Sequence, residues 1–327
     1  AHAAKRLPAG VRFALTGTPI ENRLSELWSI FDFLMPGLLG TRESFAKRFE
    51  SPVEHAEGDS AARLQALVSP FVLRRVKEDV VADLPEKIED TVMAQLTGEQ
   101  RKLYLANQDR IAQQVQHREA GEFKNDKLKV LAELTKLRQI CCDPHLHYED
   151  YKAGSAKLDA CMELVHGALD GGHHILLFSQ FTGMLDIIGK RLAKEDIGFL
   201  KLMGASSKES RAKMVAQFQA GEVPVFLISL KAGGVGLNLT AADVVIHYDP
   251  WWNVAAQDQA TDRAHRIGQQ HTVTVYKLIA KDTIEERIMQ MQESKRDLVN
   301  SVLGGDGISS ALFAREDVLA LLGGDGR

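Results

Sequence analysis

The sequence is poor in the features that mark membrane proteins, disulfide-rich secreted proteins and strongly basic nucleic-acid-binding proteins. No apolar run approaches the roughly 20 residues that a membrane-spanning helix needs. Only three of the 327 residues are cysteines, an odd number that does not suit a disulfide framework and is typical of a reducing compartment. The net charge is −4, so any surface for nucleic acid has to be local rather than a property of the whole chain.

The sequence also lacks the motifs of a complete catalytic centre. It contains no Gly-Lys-Ser/Thr, which a Walker A loop needs, and no aspartate followed by glutamate, which an Asp-Glu-x-His site for Mg²⁺ and water needs. A Gly-x-Ser-x-Gly elbow and a zinc-protease helix are missing as well. Cys141, Cys142, His145 and His147 cluster, but adjacent cysteines rarely ligate one ion together and Pro144 interrupts the segment, so we predict no metal site.

The chain has enough residues for two domains and an ordinary globular composition, with 45% apolar and 26% charged residues. Residues 11–16 predict a short strand that runs into a polar turn. A helix follows, in which apolar residues from Leu24 to Leu34 keep helical spacing. This is half of an α/β unit, and we therefore expect the rest of its sheet to lie upstream of Ala1.

The pattern changes along the chain from helices to an alternation of helices and strands. Residues 41–150 predict mostly helices, among them 99–118 and 126–141, and 87–96 are compatible with a strand. From about Ala156 the predicted strands are 175–178, 199–203, 225–230, 244–246 and 272–279, and the predicted helices are 182–194, 207–219 and 254–266. This alternation indicates an α/β fold with a parallel sheet and helices on both faces. An amphipathic helix at 283–300 and a short one at 314–322 complete the chain.

Polar segments follow the predicted strands. Parallel strands end at one edge of a sheet, where such folds bind ligands. We therefore expect segments 179–180, 204–207, 229–238 and 249–253 to gather at that edge.

The segment from Lys231 to Asn238 is rich in glycine and follows a predicted strand. Such turns let backbone N–H groups approach phosphates. A dinucleotide fingerprint would need a third glycine where Leu239 stands. From the residues alone, two readings of this segment remain. It is either a nucleotide-contacting loop of another kind or a tight connection that binds no ligand.

The predicted helix at 254–266 is unusually polar. Gln259, Arg263 and Arg266 are spaced four and three apart, so on a helix they share one stripe. Two guanidinium groups suit a polyanion because each presents a fixed fork of donors to phosphate oxygens, although a solvated helix face is the alternative. The Trp251–Trp252 pair precedes this helix, and an exposed tryptophan there can stack on a base or wedge a groove.

Several blocks resemble the Swi/Snf-type ATPases, the DNA-translocating branch of helicase superfamily two. Residues 15–22 (Leu-Thr-Gly-Thr-Pro-Ile-Glu-Asn) resemble motif III, 175–181 motif IV, 229–240 motif V, and 262–269 (Asp-Arg-Ala-His-Arg-Ile-Gly-Gln) motif VI. Residues 71–77, 137–144 and 249–253 resemble the connecting blocks of the family. The matches run in the family's order and cover nearly the whole chain. One departure is Val254, where the family usually has proline after Trp-Asn.

The resemblance implies two RecA-like lobes that clamp ATP between them and bind double-stranded DNA. The chain would comprise the tail of the first lobe (1–40), helical insertions (41–150), the second lobe (151–282) and a C-terminal helical brace (283–327). Motifs I and II, and with them most of the binding of ATP and Mg²⁺, would lie in an N-terminal lobe upstream of Ala1, so we expect the chain alone to lack ATPase activity. The compact insertions resemble bacterial members, which implies a cytoplasmic, nucleoid-associated protein; a eukaryotic member would be nuclear.

The resemblance also implies roles for individual residues. Arg263 and Arg266 would reach the phosphates across the cleft, with Gln259 beside them. The other assignments are Gly236 and Asn238 for the nucleotide, Ser206, Ser229, Lys231, Trp252 and Gln180 for DNA, and Thr16 and Thr18 for coupling. The main alternative is a non-catalytic module that binds DNA or a partner. A nicotinamide-dependent enzyme that uses the glycine loop is a further one, and no residue excludes RNA as the track.

Overall fold

The chain divides into two compact units. A computed structural model describes residues 5–6, 8–16, 24–51, 59–73, 84–116, 120–233, 237–252, 254–292 and 315–323. The smaller unit comprises Ala1–Lys77, Trp252–Ala255 and Gln290–Leu312, and the larger one Glu78–Trp251, Ala256–Met289 and Phe313–Arg327. None of the helices in the described ranges combines the length and the apolar character that crossing a bilayer requires.

The larger unit is built on a six-stranded sheet in which every pairing is parallel. The strands are β1 (Lys87–Gln95), β2 (Ile175–Ser179), β3 (Phe199–Leu202), β4 (Val225–Ser229), β5 (Val244–His247) and β6 (Val273–Lys281). Their order across the sheet is β1-β6-β5-β2-β4-β3. In the register, Ile175 of β2 lies opposite Val225 on one side and Val244 on the other. The predicted parallel α/β sheet is confirmed.

Helices surround this sheet and also form much of the described part of the smaller unit. Their bounds are α1 (Leu24–Leu34), α2 (Arg42–Phe45), α3 (Ser60–Val68), α4 (Gly98–Gln116), α5 (Ala120–Cys142), α6 (Ala156–Asp170), α7 (Thr182–Lys194), α8 (Lys208–Gln219), α9 (Leu230–Gly233), α10 (Val254–Thr261), α11 (284–292) and α12 (Arg315–Leu322). A π-helical turn follows α2 at Ala46–Glu50, and 3₁₀ turns lie at Ser69–Phe71 and Pro144–Leu146.

The central strands are apolar throughout because both faces of the sheet are covered. Ile175 and Leu177 of β2 pack with α6 and α7 on one face, while Leu176 and Phe178 pack with Phe218 of α8 on the other. All these side chains are fully buried. Alternation along a strand therefore appears here as two buried faces and not as one buried and one polar face.

Strand β1 coincides with residues 87–96, which the sequence gives as compatible with a strand inside a mostly helical region, and it pairs with β6 over nine residues. The larger unit begins at Glu78, so β1, α4 and α5 lie in the same compact unit as the rest of the sheet. The predicted domain boundaries stay predictions.

The smaller unit has its own core. Phe45 and Phe49 lie on one face, as their spacing predicts, with ring centroids 5.5 Å apart. They are buried together with Leu27, Phe31 and Leu64.

The predicted strand at 11–16 is wrong for the described chain. These residues form no strand, and Phe13 and Leu15 are 80% and 96% exposed. The apolar alternation is that of a strand, but a strand is stable only when a neighbour completes its backbone hydrogen bonds. No strand in the described ranges pairs with this segment.

Candidate functional site

The loops after β2, β3, β4 and β5 leave the same edge of the sheet, as the sequence predicts, because all the strands are parallel. Asp249, fully buried, joins the loop after β5 to the loop after β2. Its carboxylate accepts hydrogen bonds from Ser179 Oγ and, at 3.2 Å, from the backbone N–H of Gln180. A buried carboxylate is costly without donors, so these bonds fix the spacing of the two loops.

The loop after β3 is held by its own side chains and by α8. Ser206 Oγ accepts a bond of 3.2 Å from the N–H of Met203, and Arg211 Nε donates to the Ser206 carbonyl at 3.2 Å. Ser207 caps α8 by accepting from the N–H of Ser210. The hydroxyl and amide groups at this turn are therefore held beside a helix N-terminus.

The polar helix ends earlier than the sequence predicts. The prediction was a helix over 254–266, but α10 ends at Thr261, so Gln259, Arg263 and Arg266 do not share one helical stripe. In a continuing helix, the carbonyls of Arg263 and Ala264 would accept bonds from the N–H groups four residues on. Here the Arg263 carbonyl accepts from Leu239 N–H at 2.9 Å, and the Ala264 carbonyl accepts from a side chain, that of Gln269, at 3.2 Å.

We call residues 262–269 the arginine turn. It is bound to the segment 237–242, which contains the end of the predicted motif V and the two residues after it. Gln269, 6% exposed, donates its amide nitrogen to the carbonyls of Thr240 (3.1 Å) and Ala242 (2.7 Å). Arg266 Nη1 lies 3.4 Å from the Leu237 carbonyl, which accepts its hydrogen bond. These bonds make the two segments one structural element.

Arg263 is a buried cation whose donors are not all used. It is 3% exposed, and its Nε has no hydrogen-bond partner among the described residues. Burial lowers the pKa of Arg263, the charge of Arg266 lowers it further, and Asp262 acts in the opposite direction. Two like charges, one of them buried, lie in a place where a polyanion would lower the electrostatic cost of both.

The arginine turn and the residue before it, Thr261, run beside β5 and are bonded near both ends of that strand. At the carboxyl end of β5, His247 Nε2 and Thr261 Oγ1 are 2.8 Å apart. At the amino end, Gln269 bonds the Ala242 carbonyl just before the strand begins. The turn is also joined to the residues before β1, because His265 Nε2 lies 2.8 Å from the Pro85 carbonyl.

The other predicted site residues are found in varied surroundings. Gln259, Asn238 and Thr16 are exposed, Ser229 is buried, and Trp252 is half-buried. Trp251 packs against the core on the α8 face of the sheet, so neither tryptophan is fully exposed. Gly236 and Thr18 lie outside the described residues, and of Lys231 only the backbone is described, within α9.

Sequence reasoning missed the buried polar residues that hold these loops. Arg138, 1% exposed, donates Nη2 to the Pro250 carbonyl and, at 3.2 Å, Nη1 to Gln180 Oε1. Gln269 was noticed only as the end of motif VI. A signal was present for Arg138, since it lies three or four residues from the apolar Leu134, Cys141 and Cys142 and so shares a helix face with them.

The cysteines and histidines at 141–147 are held by other contacts. Cys141 and Cys142 are fully buried, and burial raises the pKa of both thiols. His145 instead faces Asp143, with Nδ1 2.8 Å from the carboxylate. Within the described ranges, no group of three or more histidine, cysteine, aspartate or glutamate side chains is arranged to hold a metal.

Comparison with known proteins gives two family matches. The SNF2-related domain matches residues 1–146, and the helicase conserved C-terminal domain matches residues 156–268. An "Uncharacterized ATP-dependent helicase" of Mycoplasma pneumoniae is 41% identical over 320 residues, which are 98% of this chain and 30% of that protein. A "Putative ATP-dependent helicase/translocase YwqA" of Bacillus subtilis is 40% identical over 96% of this chain and 35% of its own length. The chain thus spans about a third of these relatives.

Solved structures of the Sulfolobus solfataricus SWI2/SNF2 ATPase are similar as well. Its core in complex with dsDNA is 36% identical with a TM-score of 0.58, over 98% of this chain and 66% of that one. Its C-terminal domain is 33% identical with a TM-score of 0.56, over 68% of this chain and 91% of that one. The parallel sheet with helices on both faces is accordingly a RecA-like fold, and the chain belongs to the SWI2/SNF2 family of helicase-like ATPases.

Proposed function

We propose that this chain is the second lobe of an ATP-dependent double-stranded DNA translocase and that Arg263 and Arg266 are its arginine fingers. The observation that carries the proposal is the buried Nε of Arg263, which has no partner among the described residues. A buried guanidinium with an unused donor is costly unless a ligand completes it. The oxygens of a nucleotide phosphate match the fork of donors that arginine presents.

The two arginines act on the developing charge of the transferring phosphoryl group. Such fingers contribute on the order of 10³–10⁵ in rate. They are effective only if they are held in place before the reaction, and the bonds from Leu239 N–H and from Gln269 to the arginine turn provide that rigidity. Gln259, Asn238 and Gly236 contact the nucleotide from the same lobe.

A first lobe supplies what this sequence lacks. Gly-Lys-Ser/Thr and Asp-Glu-x-His are missing from the chain, so the β-phosphate and Mg²⁺ are held mainly by another part of the full-length protein. Thr16 and Thr18, in the block that resembles motif III, couple nucleotide and DNA sites across the two lobes.

Double-stranded DNA binds along the loop edge. Ser206, Ser229, Lys231 and Gln180 contact its backbone, and Trp252 faces the minor groove. The Sulfolobus ATPase core solved with dsDNA supports duplex DNA as the partner. Contacts to phosphates make the binding dependent on salt and largely independent of sequence.

The chain segment 229–242 links the two sites covalently. It starts at Ser229, at the loop edge, and ends at Ala242, which is bonded to the arginine turn through Gln269. Movement of the arginines when the lobes close is therefore transmitted to the DNA-binding edge through a short path. Cycles of closing and opening shift the lobe along the DNA.

Substitution of the arginines in the full-length protein tests this proposal. Arg266→Ala and Arg263→Ala should each lower DNA-stimulated ATP hydrolysis by about 10³-fold or more while duplex affinity changes by no more than a few fold. Arg191→Ala is the control, because Arg191 is partly exposed on α7 and pairs with Glu195. Near-normal turnover of either variant would remove its role as a finger.

The 327-residue chain by itself should hydrolyse no ATP above background. DNA-stimulated turnover by it would contradict the two-lobe assignment. A non-catalytic module that binds DNA or a partner is the alternative outcome. In that case the full-length protein would also be inactive, while the chain could still bind duplex DNA with an affinity that falls as salt rises.

A further inference from the structure

Arg138 lies at the centre of the loop edge, although it belongs to α5 and to none of the helicase motifs. It is buried, and its guanidinium reaches both the loop after β2 and the loop after β5. Nη1 donates to Gln180 Oε1 at 3.2 Å, and Nη2 donates to the Pro250 carbonyl. The guanidinium carbon is 5.6 Å from the ring centroid of Phe181, which follows Gln180 in the first loop.

These contacts determine the orientation of the Gln180 amide. Arginine only donates hydrogen bonds, so the amide oxygen of Gln180 has to face Arg138. A carbonyl only accepts them, so the amide nitrogen has to face Pro250, and Nε2 lies 3.3 Å from that oxygen. The amide nitrogen of Gln180 carries a second hydrogen. The contacts with Arg138 and Pro250 fix the direction in which this hydrogen points.

We propose that Arg138 is a positioning residue for DNA binding, which sets the Gln180 amide so that its second N–H faces the phosphate backbone. The proposal rests on the proposed function, because it assumes that DNA lies along the loop edge. It adds a residue outside the helicase motifs to the group that determines affinity for DNA.

The chemistry of the site explains why an arginine is needed. Burying a cation costs free energy that an apolar residue of similar size would avoid, so packing alone does not favour Arg138. Its flat fork reaches two acceptors on different loops at once, whereas the single ammonium of lysine cannot reproduce that geometry. Two of its acceptors are a side chain and a backbone carbonyl of the loops themselves, so the guanidinium acts on the loops directly.

Duplex binding by the 327-residue chain tests the proposal. A short fluorescein-labelled duplex is titrated with wild-type chain, Arg138→Lys, Gln180→Leu and the double variant, and binding is followed by anisotropy at fixed salt. Each single variant should bind roughly tenfold more weakly, about 1.4 kcal/mol. The double variant should bind no more weakly than the single ones, because Arg138 acts through Gln180.

Arg110→Lys is the matched control. Arg110 is partly exposed on α4 and pairs with Glu133 on α5, so the same substitution should leave duplex affinity within about twofold there. Circular dichroism establishes that each variant is folded. If Arg138→Lys does not fold, Gln180→Leu alone still tests the amide contact.

The possible results are distinct. Wild-type affinity in Arg138→Lys or in Gln180→Leu overturns the inference, and so do losses that add in the double variant, because Arg138 would then act independently of Gln180. A wild-type chain that binds no duplex at any salt concentration overturns the proposed DNA-binding edge itself, and the inference with it.

Discussion

Removing the charge of Lys157 should destabilise the larger unit more than any surface substitution. Lys157 on α6 and Glu285 on α11 are both completely buried. Lys157 Nζ lies 3.0 Å and 2.8 Å from the two carboxylate oxygens of Glu285, which also accepts the N–H of Ala280 at 2.9 Å. The lysine therefore donates two of the three hydrogen bonds that this carboxylate accepts from nitrogen atoms.

Lys157→Met leaves Glu285 buried with the Ala280 N–H as its remaining nitrogen donor. Removing one partner of a buried ion pair costs about 3–5 kcal/mol, because the other charge stays in a medium of low polarity. Replacing both partners with apolar residues of similar volume is often nearly neutral. The double variant Lys157→Met/Glu285→Leu should therefore recover most of the loss.

Urea unfolding followed by circular dichroism at pH 7 measures these differences, provided that the slope of the free energy with urea concentration is unchanged. Lys201→Met is the control, because its pair with Asp186 is exposed on both sides and should contribute about 0–1 kcal/mol. A loss below about 1 kcal/mol in Lys157→Met, or a double variant that is less stable than the single one, would refute the reasoning.

The pH dependence gives an independent check. Burial by itself would lower the pKa of Lys157, but the attraction of Glu285 outweighs it, so the pKa is raised above its ordinary value of 10.5. A raised folded-state pKa means that the contribution is complete below pH 10.5 and is lost as the pH rises through the folded value. The wild type should thus lose stability above pH 10.5 relative to the double variant.

Two further predictions concern the arginine turn and the strand beside it. Burial, and then the charge of Lys277, lower the pKa of His247 to about 3, so its neutral form is favoured and the wild type should lose stability as the pH falls below 6.5. Urea unfolding at pH 7 and pH 4 should show a smaller loss in His247→Gln; equal losses would contradict this cause. Gly268 has a φ of 101° with no atom within 4 Å of an added Cβ, so Gly268→Ala should cost about 1–2 kcal/mol through the backbone alone. Gly204→Ala, where φ is not in the left-handed region and space is also open, should cost less than about 0.5 kcal/mol, and similar costs for both would show that φ is not the cause.

The sequence predicts the sheet of the larger unit well because its strands are short, apolar and separated by amphipathic helices. Strands at 175–178 and 225–230 were predicted within a residue or two of β2 and β4. A strand buried on both faces leaves few alternatives when helices flank it at regular intervals. The position of the loops at one edge follows from parallel pairing alone.

The end of α10 could not be predicted because no local signal stops that helix. Residues 254–266 have helical propensity, and the nearest glycine is Gly268. The helix ends at Thr261 because carbonyls further on accept bonds from Leu239 and Gln269, one of them distant in sequence. A propensity argument considers only neighbours along the chain, whereas these bonds exist only after the sheet has formed. The spatial relation of Arg263 to the other site residues therefore required the structure.

The loop after β5 shows how the fold compensates for a departure from the family pattern. Three consecutive residues are held by two elements. Tyr248 OH donates to the Cys142 carbonyl of α5 at 3.0 Å, Asp249 accepts from Ser179 of β2, and the Pro250 carbonyl accepts from Arg138 of α5. The family usually has a proline where this chain has Val254, and a proline would restrict the backbone only at that position and the one before it. The path of residues 248–250 is therefore fixed by contacts with α5 and β2, at positions that precede residue 254. Arg138 has more influence on this loop than residue 254 because its contacts lie where the loop leaves the sheet.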